Sequence, residues 1–537
     1  MNESSAGATA ATPTDRVPAY NWYALGVLVL VYVLNFVDRQ ILSILANDIK
    51  ADLKVDDAFL GFLYGTAFAI FYALFGIPLG KLADSWKRIP LMAGGLALWS
   101  LMTAVSGFAR NGAMLTGARI GVGIGEATAS PSAYSLISDW FPARLRATAL
   151  AIYSSGLYLG GGVSLLIGGL IVEGWNKAYP GGGPLGLVGW QAAFIAVGLP
   201  GLLLAAWLLT LREPVRGAID GLPTPPHPAP FREFFDELML IIPPLTLLGA
   251  LRRGPLALAI NLAGAAFFAL AAVLLSRWVY AGPGSFIESV SDQWLFLGIG
   301  YYAVFSWASA LRSRDLPTFR LTWGSPAFLM TILGYGMVSF MSYASSFFAA
   351  PYGELAFGIP KTQLGWLLGA PAAVAGFLGV IFGGRMADWL FRRYEAGRLF
   401  VVMFGLVTPV PVVWTAFTTD DLTTFYVLAA LAQFLAASAL GAAAATSQSL
   451  VLPRMRGVAT ATFFLATTLV GLALGPFLAG WISASAGGDI SLGVRWTLWA
   501  VPIGVICLAA AIRLVPAAAR TAIARAEAAG ETRTTLA

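Results

Sequence analysis

Four ionisable side chains interrupt long apolar stretches of this chain: Asp38 and Arg39 in the run NFVDR at 35–39, and Arg119 and Glu126 in GARIGVGIGEA at 117–127. At the centre of a membrane helix each would cost about 3 kcal/mol, so four unpaired would cost roughly 10 kcal/mol. Side chains kept in such places face a bundle interior or an aqueous cavity and pair with one another. Their chemistry is the handling of charge and protons. Arg119 can be neutralised by an anionic head group or by Asp38. Glu126 can gain or lose a proton, because desolvation favours a neutral carboxyl and a nearby arginine an ionised one. A static network that only ties two helices together is the competing reading.

Bond-making chemistry has little to work with. Cys507 is the only cysteine and His227 the only histidine, in unrelated parts of the chain. They offer no disulfide, no metal cluster and no nucleophile–base set, so an enzyme is not expected. No cofactor is implied, no Walker-type loop is present for a nucleotide, and no basic run interleaved with aromatics suggests a nucleic acid.

The elements that must position the four charges follow from composition. Of 537 residues, 58% are hydrophobic and 11% charged, with mean hydropathy +0.76, against about 25% charged in a soluble domain. Apolar segments long enough to span a bilayer fall at 23–45, 59–80, 90–108, 113–138, 147–172 and 191–211, then at 256–279 and 293–311. Six more follow at 325–348, 363–383, 399–417, 423–447, 458–482 and 496–514, giving an all-α membrane protein of fourteen spans. The implied organisation is a flexible tail (1–21), a six-helix bundle (22–211), a connector with an interfacial helix near 231–240 (212–254), an inserted hairpin (255–312), a second six-helix bundle (325–515) and a tail (516–537). The apolar run 238–251, broken by Pro243 and Pro244, reads as interfacial. With the N-terminus inside, inner loops and tails carry 24 Lys and Arg and outer loops seven, which places both termini in the cytoplasm.

Spacing sets the depths. Arg119 and Glu126 are seven residues apart, two turns on one face and roughly 10 Å along the axis. Asp38 lies about 22 Å up the first helix, level with Arg119 descending from the other side, so the two can pair. Arg39, about 100° around from Asp38, suits an outer rim or a packing pair.

The halves repeat. Residues 60–88 align with 364–392 at a constant offset of 304, matching Gly61 to Gly365, Gly65 to Gly369, Gly80 to Gly384, Asp84 to Asp388 and Arg88 to Arg392. A second echo joins Arg144 and Arg146 to Arg454 and Arg456. Two six-helix halves of the same polarity place a substrate path between them.

On these residues the chain resembles the major facilitator superfamily. Its Gly-x-x-x-Asp…basic loop is present as GKLADSWKR at 80–88 and again as GRMADWLFRR at 384–393. The resemblance implies an inner gate of Gly80, Asp84, Lys87 and Arg88, with Gly384, Asp388, Arg392 and Arg393 in the second half. Asp and nearby Arg would form its charged latch, and the glycines would allow close helix approach. Within the superfamily, NFVDR and GARIGVGIGEA with Pro131 beyond are similar to the spinster-type lipid transporters. That likeness implies alternating-access, proton-linked movement of a lysolipid-like or organic-acid compound.

The second half carries no matching charges. Tyr335, Ser339, Ser342, Tyr343, Gln433 and Ser438 would line its side of the path with hydroxyls, an amide and aromatic rings, which suits an amphiphilic solute. Glycines at 156, 160 and 161, and at 471 and 475, offer close-packing faces. Expected partners are a small-molecule substrate, protons and the lipid bilayer, at a bacterial inner (plasma) membrane. A peptide or organic-acid symporter of the same fold is the alternative, and oligomeric state is left open.

Overall fold

The computed structural model describes residues 17–220, 227–278 and 288–531; the expected tail at 1–16, the last residues from 532 and the tip of the inserted hairpin lie outside them. Thirteen of its helices are long and apolar enough to cross a membrane. In the first half these are α1 (Ala19–Leu53), α2 (Asp57–Ser85), α3 (Arg88–Ser106), α5 (Ala143–Ala178) and α6 (Gly189–Leu208). Between α3 and α5 runs α4, in two pieces, Gly112–Glu126 and Ala129–Trp140. Neither piece alone has the length of a span; by length and composition, the pair that could bring the count to fourteen is Pro230–Ile241 with Leu245–Arg253 in the connector. The connector folds as α7 (Pro230–Ile241) and α8 (Leu245–Arg253), bent by 98° where the two prolines stand. The inserted hairpin is α9 (Pro255–Trp278) and α10 (Glu288–Arg314). The second half comprises α11 (Pro326–Phe357), α12 (Lys361–Phe391), α13 (Gly397–Ala416), α14 (Leu422–Ser449), α15 (Pro453–Ser485) and α16 (Ile490–Arg520).

Helix is the form in which each segment satisfies its own backbone without water. The starts are set by side chains that accept from exposed amides: Asp56 from Phe59 (2.8 Å), Asn111 from Met114 (2.9 Å) and Asp421 from Thr424 (2.7 Å). Each such cap is worth about 1 kcal/mol.

The sequence offset becomes a spatial symmetry. Ser43 donates to the carbonyl of Phe347 (2.5 Å) and Asn47 to that of Pro351 (3.1 Å), both exactly 304 residues apart. Each residue touches its own counterpart, so the pseudo-two-fold axis runs between α1 and α11. Flanking it are two equivalent crossings. Gly61 and Gly65 of α2 abut the carbonyls of Pro476 and Leu472 on α15, and Gly365 and Gly369 of α12 abut those of Leu165 and Gly162 on α5, with no room for a Cβ. The close-packing glycines of α5 and α15 also fit this pattern: Gly160 meets Val33, and Gly475 meets Phe340.

Polar contacts reinforce one end of this seam. Lys361 bridges Asp48 (3.4 Å) and pairs with Glu354; Asn47 donates to Glu354 (2.8 Å); Asp57 accepts from Ser483 (2.7 Å). None of these six residues is among the expected functional positions. Gly480 sits against the Asp57 carbonyl. Gly480→Ala should force the two halves apart there and lower the thermal unfolding midpoint in detergent by several degrees, for an overpacking cost of about 1–3 kcal/mol. Gly457→Ala, at a position with open space around it, should not.

Candidate functional site

The four membrane-embedded charges converge, because glycines let α4 wedge between its neighbours. A Cβ at Gly123 would lie 2.7 Å from the Phe68 carbonyl of α2, and one at Gly125 2.7 Å from the Gly95 carbonyl of α3. That approach brings Arg119 and Glu126, both buried, against α1. Glu126 occupies the last turn before the break at Ala127 and Thr128, where Thr128 Oγ1 donates back to the Gly125 carbonyl (2.9 Å).

The pairing differs from the expected one. Arg39, not Arg119, holds Glu126: its Nη2 lies 2.7 Å from Glu126 Oε2, and both side chains are shielded from solvent. The Arg39 guanidinium also sits over the rings of Phe36 (4.8 Å), Phe68 (4.4 Å) and Tyr72 (5.1 Å). Of its two expected placements Arg39 takes the packing pair and not the outer rim, since the 100° turn from Asp38 aims it at α2 and α4. Arg119 does meet Asp38, but Nη1 donates to the Asp38 carbonyl oxygen (3.1 Å), not to its carboxylate. The Asp38 carboxylate instead points toward Trp99 and Thr103 of α3. Depth alone, taken from residue counts, could not resolve which side of α1 faces which arginine.

Across the axis from Arg39 stands its own counterpart at offset 304, Tyr343, close enough for the two to interact electrostatically. Tyr64 donates to Gln40 and stacks on Phe347 at 4.3 Å between centroids. On the first-half wall, Tyr32 stacks on Tyr153 (4.3 Å), and Tyr134 meets Tyr153 edge-on (5.7 Å). On the second-half side, Ser342 and Gln433 line a cleft with Ser345, Ser346, Val413 and Phe417. Three expected lining residues are elsewhere. Ser438 is buried against Gly383 and Gly405, Ser339 packs on Gly471, and Tyr335 stacks on Phe463 at 5.0 Å. These are packing positions, and helical spacing alone could not tell their faces apart.

The gate residues also rearrange. Asp84 pairs with Arg216 of the connector (3.8 Å), not with Lys87 or Arg88, and Lys87 is exposed. Arg88 is buried, pairing with Asp139 and with Glu213 (2.8 Å) and donating to Ser135 (2.9 Å), so it anchors α3 to α4 and to the chain after α6. Gly80 and Gly384 leave ordinary or open space for a Cβ, so neither is a close-approach point. In the second copy Asp388 and Arg392 are exposed, and Arg393 lies over the Trp389 ring (4.3 Å). Among the described residues no hydrogen bond or ion pair joins 80–88 to 384–393. Next to this region Arg454 pairs with Asp315 (2.8 Å) and with Glu531. Burial pushes the Asp315 carboxyl up, but hydrogen bonds from Arg454 and Thr318 outweigh it and hold that group below the usual carboxylate range.

A family model described as "Major Facilitator Superfamily" matches residues 28–350 and 327–536. An "MFS-type efflux pump" of Mycolicibacterium smegmatis is 27% identical over 512 residues, covering 95% of this chain and 94% of that protein. A "probable galactarate/D-glucarate transporter" of Bacillus subtilis is 29% identical over 210 residues, 38% of this chain and 43% of that protein. The fold is similar to the crystal structure of a bacterial homolog to the human lysosomal transporter Spinster, in an inward-facing and unoccupied conformation. That likeness has a TM-score of 0.65 and 25% identity, over 94% of this chain and 98% of the other.

Proposed function

Because the chain belongs to the major facilitator superfamily and is an integral membrane transporter, we propose that it moves a small anionic amphiphile by proton-linked alternating access, with both termini in the cytoplasm. The observation that carries this reading is the buried Arg39–Glu126 pair, held at 2.7 Å in an aromatic cage beside the axis and facing Tyr343 of the other half. Protonation of Glu126 releases Arg39. An anionic head group then takes the carboxylate's place, and Arg119 and Asp38 supply the second charge and a second proton site. With the charge bias of the loops, the Lys361 end is the outer one, so the state described is sealed outside and free to open inside, as in the inward-facing relative.

The wall chemistry favours an amphiphile over a sugar acid, although relatives named for galactarate and glucarate are similar to part of the chain. A sugar acid carries a hydroxyl on nearly every carbon, and most would lie unpaired against Val413, Phe417 and the alanines of the cleft. The aromatic rings of Tyr32, Tyr153 and Tyr343 suit an apolar body instead.

The test is flux into proteoliposomes under an imposed pH gradient, with lysophospholipids, aromatic acids and sugar acids as candidates. Glu126→Gln should abolish gradient-driven accumulation at least tenfold while leaving exchange at equal pH measurable, and Asp38→Asn should shift its pH dependence. Wild-type rates and pH profiles in both variants would reduce the four charges to a structural network.

A further inference from the structure

Helices related by the 304-residue offset should present equivalent faces to the bilayer, and α2 and α12 do not. Phe62, Ile70 and Leu74 of α2 are 2%, 0% and 2% exposed, whereas their counterparts Trp366, Val374 and Leu378 on α12 are 57%, 59% and 50% exposed. The difference is traced to α10 of the inserted hairpin. Its Phe296 ring meets Phe62 edge-on (5.6 Å) and Phe71 (5.9 Å), and a Cβ at Gly300 would stand 3.3 Å from Ile70.

α10 does not stop at the first half. Tyr301 donates its hydroxyl to the Leu469 carbonyl (3.2 Å) and Trp294 packs edge-on against Phe477 (5.9 Å), both on α15. Leu469 lies in the π-wound stretch Thr467–Leu472, where the wider turn leaves carbonyls free to accept from outside. The hairpin thus lies across the seam between α2 and α15 and touches both halves. The symmetry-related seam, between α5 and α12, carries exposed Leu159 and Val163 on one flank and exposed Trp366 and Val374 on the other.

We propose that the inserted hairpin shuts one of the two lateral seams, so that a membrane-borne amphiphile reaches the crevice only through the other, between α5 and α12. This rests on the amphiphile reading given above. It assigns a role in substrate entry to a segment that lies outside the two-fold repeat.

The probe is a lysophosphatidylcholine with a diazirine in its acyl chain, photolysed with the full chain in proteoliposomes. Labelled peptides are mapped, and only label removed by excess unlabelled lysophosphatidylcholine is counted. Label on α5 and α12 should exceed that on α2 and α15 at least tenfold. Gly300→Trp, which drives an indole into Ile70 and levers α10 from α2, should bring label onto α2 and α15. Equal labelling of both seams in the wild type, or no gain in Gly300→Trp, overturns the lid. If competable label reaches neither seam nor the crevice at Arg39 and Tyr343, the amphiphile reading falls and the lid with it. A labelled crevice with the wrong seam marked removes only the lid.

Discussion

Arg39→Met should unfold at a much lower temperature than the wild type and lose gradient-driven transport altogether. The substitution leaves Glu126 buried inside the first bundle without its hydrogen-bonded cation, with only Arg119 nearby. Breaking a buried pair by removing one partner costs about 3–5 kcal/mol, whereas replacing both partners by neutral groups is often nearly neutral. Arg39→Met/Glu126→Gln should therefore recover most of the lost stability and none of the transport. A double-mutant cycle of thermal unfolding, run beside the flux assay, separates the two roles. If the double variant transports with the wild-type pH profile, the pair is structural only.

The second large effect concerns the end sealed by Lys361. Asn47 and Glu354 touch across the halves (2.8 Å), and alternating access requires them to part. Asn47→Cys/Glu354→Cys, made with Cys507→Ser, should lose at least nine-tenths of its transport when a short bifunctional thiol reagent links the pair, and regain it on reduction. Lys361 keeps Asp48 as a partner in this variant, so the reduced form retains a seal. Full activity while linked would mean that this end does not open during the cycle.

Much of the architecture is readable from residues, because the bilayer makes hydropathy nearly decisive. The thirteen apolar helices, the duplicated halves, the bend in the connector and the inserted pair all follow from apolar run length, Pro243 and Pro244, and the offset of 304. What resists reading is rotation about each helix axis. Arg39 takes Glu126, and Arg119 reaches the Asp38 carbonyl but not its carboxylate, because a few tens of degrees decide which neighbour a side chain of α1 faces. Ser438 and Ser339 turn inward onto glycines for the same reason. The ionic seal escapes for another cause: Lys361 and Asp48 resemble ordinary loop-end charges until two distant segments are superposed. Extending the offset back from residue 60 aligns 43 with 347 and 47 with 351, but it matches Lys361 to Asp57 and so does not pair it with Asp48.

That self-contact along the axis has a historical consequence. In an ancestor with two identical halves, whatever stood at position 39 would have faced a copy of itself, and twin arginines there would have repelled each other in a low-dielectric setting. Sequence divergence at Arg39 and Tyr343 is then what keeps a further arginine from facing Arg39 across the axis, where Arg119 already stands close by. Restoring symmetry by Tyr343→Arg would set two guanidiniums against each other across the axis.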